Sequence, residues 1–190
     1  MKISQFTRIA VFLWLLLSST TQAGDTNGKL SLGLPAGKPE VFERVEISVT
    51  GVPASANPFD PESIALDLEV LQPSRQRLRV PGYFQQGFDR KLDGNREVLT
   101  PQGDGTWRIR WLPLETGRHT LVATVTLEGR LAAREEAAIE VAAGKHHGLA
   151  RIEPDGKRYF RLDDGTPLFL NGLCACWHGR RGTYDYDDWL

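Results

Sequence analysis

Thr106-Trp107-Arg108-Ile109-Arg110-Trp111-Leu112-Pro113 is the stretch that decides the fold. Trp107, Ile109 and Trp111 alternate with Arg108 and Arg110. Successive side chains of a strand point to opposite faces, so this segment carries one apolar face and one cationic face. The apolar face is expected in a core. The competing role for the two tryptophans is a platform on which sugar rings stack. Truncating a buried Trp costs about 3–5 kcal/mol, so the core reading predicts that Trp107→Ala unfolds the domain.

The same period of two recurs on both sides of this stretch. Val45, Ile47 and Val49 alternate with Glu46 and Ser48, and Leu66, Leu68 and Val70 alternate with Asp67 and Glu69. Leu121, Ala123, Val125 and Leu127 alternate with Val122, Thr124 and Thr126, and Ile139 and Val141 flank Glu140. Turn signals separate these runs: Gly51-Val52-Pro53, Gln102-Gly103-Asp104-Gly105, Glu115-Thr116-Gly117 and Glu128-Gly129. Each strand then has one buried and one wet face, and two such sheets packed together make a β-sandwich. Some seven strands in about 115 residues match the immunoglobulin-like size, although the Cys pair of antibody domains is absent. Leu131 to Ala143 is rich in Ala and Glu, which favour helix locally. The hairpin signal at Glu128-Gly129 favours a closing strand, and the segment is read as strand. The expected class is all-β, with an immunoglobulin-like β-sandwich over residues 24–144.

Composition narrows the function. The chain has 190 residues, with Lys+Arg 23 against Asp+Glu 24 and a net charge of -1. That balance argues against a nucleic-acid binder or a binder of anionic membranes driven by basic charge. Charged residues at 25% and hydrophobic residues at 41% fit a folded domain. Two Cys are too few for a disulfide scaffold or a four-thiolate zinc site. A complete (β/α)₈ barrel needs about 250 residues, more than the chain holds.

Residues 1–23 read as a secretory signal peptide. Lys2 and Arg8 are basic, Ile9 to Leu17 is apolar, and Thr21-Gln22-Ala23 ends a small polar stretch. The apolar run falls well short of the ~20 residues of a bilayer span, and no Cys follows it to carry a lipid anchor. Export to the periplasm or the extracellular space is expected, with no membrane association after cleavage.

Four segments of the sandwich together resemble one family. They are Asn57-Pro58-Phe59-Asp60, Val80-Pro81-Gly82-Tyr83-Phe84-Gln85-Gln86-Gly87-Phe88, Thr106 to Pro113, and Glu115-Thr116-Gly117-Arg118. Over about Lys29 to Val141 the chain resembles the N-terminal β-sandwich domain called domain of unknown function 5060. The resemblance implies a sandwich that precedes a glycoside-hydrolase-like (β/α)₈ barrel. Arg118-His119 departs from it, since an aromatic residue is expected after the turn glycine. The motifs also have plain physical readings. Pro58 and Pro61 restrain themselves and the residues before them, which makes Asn57 to Pro61 a stiff loop. Phe59 is expected to plug the sandwich edge. Pro81-Gly82 is expected to turn or kink a strand, with Tyr83, Phe84 and Phe88 clustered beside it. The alternative for that cluster is docking on a neighbouring domain.

Residues 145–190 read as a linker followed by an incomplete barrel entry. Gly144-Lys145-His146-His147-Gly148 is a polar joint, and its His pair lacks a nearby third metal ligand. Short strand-like runs follow at Leu149 to Ile152, Arg158 to Leu162 and Pro167 to Leu170. Asp155-Gly156 and Asp164-Gly165 supply hairpin signals. By resemblance, this hairpin seals a barrel bottom and Pro167 to Cys176 contains the first barrel strand. Asp185 and its acidic neighbours are expected to start a helix, which alone is too short to be stable. The chain is therefore expected to be the N-terminal part of a longer protein; the alternative is a short chain whose tail folds onto the sandwich. Cys174 and Cys176 lie two apart, too close for an unstrained disulfide, and are expected to be buried; a strained or intermolecular disulfide is the alternative.

A glycosidase needs two carboxylic acids flanking the scissile bond. The resemblance places both on later strands, beyond Leu190, so no catalytic residue is assigned here. Asp185, Asp187 and Asp188 are read as capping or solvated charges. In a complete barrel Asn171, Trp177 and His178 could line a sugar subsite, Trp177 by stacking and His178 by hydrogen bonding. No cofactor or metal is expected. The partners expected are a C-terminal catalytic barrel and a polysaccharide. The reading is thus an exported, non-catalytic accessory module of a carbohydrate-active protein; the alternative is a stand-alone carbohydrate-binding module that uses exposed aromatics.

Overall fold

The strands expected before residue 144 pair into one antiparallel sheet. The computed structural model describes residues 28–154, 156, 158–172, 174 and 177–189. The signal segment 1–23, Asp155 and Cys176 lie outside the described residues. The strands are β1 (Ser31–Gly33), β2 (Val45–Thr50), β3 (Ile64–Leu71), β4 (Arg77–Asp93), β5 (Arg96–Trp111), β6 (Gly117–Leu127) and β7 (Arg130–Val141). They form a seven-stranded sheet in the order β1-β2-β5-β4-β3-β6-β7.

The alternation seen in the sequence becomes the core. Val45, Ile47 and Val49 of β2 face inward with Leu66, Leu68 and Val70 of β3, Ile109 and Trp111 of β5, and Leu121, Ala123 and Val125 of β6. The outer face of β2 and β5 carries ions: the Glu46 carboxylate accepts hydrogen bonds from both Arg108 and Arg110. The Leu131 to Ala143 segment is strand for most of its length. The local helix preference of its alanines loses to the tertiary ladder, which starts at a two-residue loop with Glu128 at φ 48 and Gly129 at φ 75.

β4 changes partners in mid-strand. Arg77 to Pro81 pair with β3, and Gly82 onward pairs with β5. The Pro81-Gly82 kink expected from the sequence is therefore the corner of the sheet. A Cβ on Gly82 would lie 2.5 Å from both Cγ and Cδ2 of Leu66, so the corner can pack this closely only around a glycine. The other end of the sheet is drawn together by a parallel bridge between Glu40 and Ala142. Val41 N donates to Ala142 O (2.9 Å) and Ala142 N donates to Pro39 O (2.8 Å). The sheet is nearly closed, with its apolar residues inside.

Two sequence expectations change here. Gln102-Gly103-Asp104-Gly105 does not end a strand. It is an irregularity inside β5, where the register moves between Gln85↔Thr106 and Gly87↔Gln102. Gln86 Nε2 donates to the carbonyls of Gly87, Gln102 and Gly103, which replaces part of the interrupted ladder and lets pairing resume. His119, the departure from the family resemblance, is fully buried with its ring edge-on to Trp111 (5.1 Å between centroids). Its Nδ1 lies 3.1 Å from Gly117 O.

The C-terminal part holds a three-stranded antiparallel sheet, β8 (Arg151–Ile152), β9 (Phe160–Arg161) and β10 (Pro167–Leu168), in the order β10-β9-β8. Helix α1 (Tyr184–Trp189) follows. Asp163 fastens the small sheet, accepting from Leu149 N and Arg151 Nε, both at 2.7 Å. The first barrel strand expected within Pro167 to Cys176 is limited, among the described residues, to the two residues of β10. Among the described residues β10 is an edge strand paired only with β9, without the neighbour on each side that a barrel strand has. Phe169 and Leu170 are exposed. Among the described residues no helix is long and apolar enough to cross a membrane.

Candidate functional site

Asn171, Trp177 and His178 all lie on the surface. Asn171 is exposed, and Trp177 is 85% exposed. His178 instead turns toward α1, with its Nδ1 2.9 Å from Gly179 O and its ring edge-on to Tyr186 at 6.3 Å. Tyr186 in turn meets Trp189 edge-on at 5.4 Å. Cys174, expected in a core, is exposed.

The acidic cluster has structural partners. Gly179 N donates to Asp185 Oδ2 (2.5 Å), Arg181 Nη1 to Asp188 Oδ2 (2.6 Å), and Arg90 Nη2 to Asp187 Oδ2 (2.6 Å). Asp185 and Asp187 lie in the first turn of α1, where negative charge opposes the helix dipole favourably. Among the described residues no group of three His, Cys, Asp or Glu is placed to hold a metal ion.

The aromatic motifs divide between core and surface. Trp111 is 2% exposed, which removes it as a stacking platform. Trp107 is half-buried and meets Phe84 edge-on at 5.5 Å, and Phe84 meets Phe59 edge-on at 5.3 Å. Phe59 is 65% exposed, so it lies on the surface of Phe84 and does not plug the sheet edge. The stiff loop around it is as expected: Asn57 Oδ1 accepts from Phe59 N (3.1 Å), and the Asp60 carboxylate accepts from Glu62 N and Ser63 Oγ. Tyr83 and Phe88 leave the expected cluster. Tyr83 follows the opposite face of β4, where Arg110 sits over its ring at 5.2 Å. Phe88 lies beyond the irregularity, on the exposed end of the β4–β5 hairpin.

Two surface hollows accompany these features. One, of about 550 Å³, is walled by the ion pairs Asp67–Arg79 and Glu69–Arg77 with Thr120, Thr124 and Arg134. Leu71 and Val122 line it as well, and it offers no aromatic face. The other, of about 430 Å³, lies on the small sheet between Tyr159, Phe160, Pro167 and Phe169. Next to that sheet, His147 Nδ1 lies 2.6 Å from Asp164 Oδ2, and this contact, helped by the amide of Thr166, lowers the Asp164 carboxyl to about 2. The His147 of the joint thus pins the linker to the hairpin.

The residues that sequence reasoning missed are Arg90, Glu97 and Thr183. Thr183 N and Oγ1 both donate to the Glu97 carboxylate. Those bonds hold the Glu97 carboxyl below its ordinary range, with Arg90 and His178 adding smaller electrostatic contributions. The available signal was the pattern Phe88-x-Arg90-x-Leu92 and Glu97-x-Leu99 flanking Gly94-Asn95, which reads as a hairpin with one largely apolar face.

An all-β domain with a nearly closed antiparallel sheet and an ordered C-terminal appendage is what this geometry defines. Residues 38–126 match the sequence pattern of a family described as domain of unknown function (DUF5060). No curated protein matches the chain. Among solved structures, one similar chain is a "putative glycoside hydrolase" from Bacteroides vulgatus, at 24% identity and a TM-score of 0.49. That match covers 70% of this chain and 21% of the other, so this chain spans about a fifth of that protein's length.

Proposed function

We propose that this chain is an exported, non-catalytic accessory module of a carbohydrate-active protein, built as an immunoglobulin-like sandwich. The observation that carries the reading is the match of residues 38–126 to the DUF5060 family, the same segment whose motifs resemble a sandwich placed before a glycoside-hydrolase-like barrel. The change of β4 from pairing with β3 to pairing with β5 at Pro81-Gly82 supports the sandwich description, since a strand that changes partners can link two sheets. The basic, apolar and small-residue order of residues 1–23 supports export. The burial of Trp111 and the half-burial of Trp107 favour an accessory role over a stand-alone sugar binder, which needs an open aromatic face. In this reading residues 145–189 lead toward a barrel whose later strands carry the two carboxylic acids of the reaction.

Two measurements on the purified chain test it. Turnover of aryl glycosides is expected to stay at background, and turnover above it would overturn the non-catalytic assignment. In affinity electrophoresis through plant polysaccharides, migration is expected to be unretarded; retardation abolished by Phe59→Ala would favour a binding module. Reading the gene past codon 190 tests the barrel: an open frame of about 250 codons is expected.

A further inference from the structure

The distal half of the β4–β5 hairpin is an arm. Gly87 to Asp93 pair with Gln102 to Arg96 in unbroken register, and at about 3.4 Å per residue they carry the hairpin roughly 20 Å past the core. Directly opposed residues of an antiparallel pair share a face. The pairs Phe88↔Pro101, Arg90↔Leu99 and Leu92↔Glu97 therefore line one side. That side is apolar apart from one cation and one anion.

Both ions hold the segment that leads into α1. Arg90 Nη1 donates to Thr183 Oγ1 (2.9 Å), Thr183 Oγ1 donates onward to Glu97 Oε1, and Thr183 N donates to Glu97 Oε2 (3.0 Å). Arg90 Nη2 reaches Asp187, and its guanidinium lies over the Tyr184 ring at 4.5 Å. Tyr184 Oη donates to the backbone carbonyl of Arg90 (2.9 Å). Gly182 is buried at this contact with φ 59, and a Cβ there would lie 2.0 Å from Glu97 Oε2 and 3.0 Å from Glu97 Cβ. A six-residue helix is unstable alone, so these contacts are what order it.

We propose that the arm is an intrachain docking surface whose occupant is Gly182 to Trp189, and that Arg90 and Glu97 are the residues that seat it. The arm thereby fixes the position of the C-terminal segment relative to the sandwich. This inference stands whether or not the carbohydrate reading holds, since it uses only contacts within the chain.

The test uses the full chain and the variants Arg90→Ala, Glu97→Gln and Gly182→Ala, with Arg77→Ala as a surface control. Tryptic cleavage after Arg180 and Arg181 is expected to accelerate roughly tenfold or more in the three variants and to stay unchanged in the control. Exchange of the Thr183 amide should accelerate in parallel, while near-ultraviolet circular dichroism from the Trp111 core is preserved. Equal cleavage of wild type and variants, or free-peptide exchange at Thr183 in the wild type, would overturn the proposal. So would protection that grows with protein concentration, which would place the segment on a second copy. A double-mutant cycle between Arg90→Ala and Asp187→Asn is expected to be non-additive; strict additivity would remove Arg90 as a seat.

Discussion

The two halves of the β4–β5 hairpin share one ladder and differ in almost everything else. Near the corner, Gly82 to Gln85 pair with Ile109 to Thr106, and their inner neighbours Ile109 and Trp111 are buried. Beyond Gln86 the pairing continues, yet Phe88, Leu92 and Leu99 remain largely exposed. Hydrogen bonding is therefore not what separates core from arm. Among the described residues, the proximal half has β2, β3 and β6 around it, and the distal half has only the C-terminal segment. Burial of apolar area, at about 25 cal/mol per Å², is available to the first and mostly absent from the second.

The largest expected effect lies in the proximal half. Trp111→Ala should lower unfolding stability by about 3–5 kcal/mol in chemical denaturation. Leu99→Ala on the arm should stay within about 0.5 kcal/mol of wild type, as surface substitutions do. Equal losses from the two would erase the contrast. Next is the corner between the halves. Gly82→Ala forces a methyl into Leu66, and overpacking of this kind costs about 1–3 kcal/mol, read from the denaturation midpoint.

Acid should act on the appendage before the core. The Glu97 carboxyl is lowered chiefly by its hydrogen bond from the Thr183 hydroxyl. A lowered folded-state pKa means that its contribution is complete above the ordinary value of 4.5 and is lost as pH falls through the folded value. The same sign holds for Asp164, whose contribution fades between 3.8 and about 2. Amide exchange at Thr183 and Thr166 is expected to rise over those ranges while the near-ultraviolet signal of Trp111 holds. Simultaneous loss of all three would show one cooperative unit. A small effect is expected at Phe59→Ala, which removes an exposed edge contact worth about 0.5–1.5 kcal/mol and is best seen in thermal melts.

The strands of the core were legible because each buried residue sits two positions from the next. Val45 to Val49, Leu66 to Val70 and Leu121 to Val125 needed no further information. Trp111 was placed correctly by the same rule. The sugar-subsite expectation at Asn171, Trp177 and His178 concerns a complete barrel, which needs more residues than the 190 of this chain. The turn assigned to Gln102-Gly103-Asp104-Gly105 was misread for a local reason: two glycines look like a loop, and only the Gln86 side chain opposite shows that the ladder continues. Arg90 and Glu97 look like ordinary solvated charges in sequence, since their partners lie some 90 residues away along the chain.

Read along the chain alone, the residues specified a mostly β fold, its strand faces, the change of course at Pro81-Gly82 and the stiff loop at Asn57 to Pro61. These follow from side-chain alternation and from the restricted backbone of Pro and Gly, which act over a few residues. It took the tertiary structure to show that β4 pairs with both β3 and β5 in one nearly closed sheet, that His119 is buried against Trp111, and that a short helix is ordered on the arm. Those outcomes depend on which distant surfaces meet, and periodicity along a strand specifies a face without specifying what will cover it.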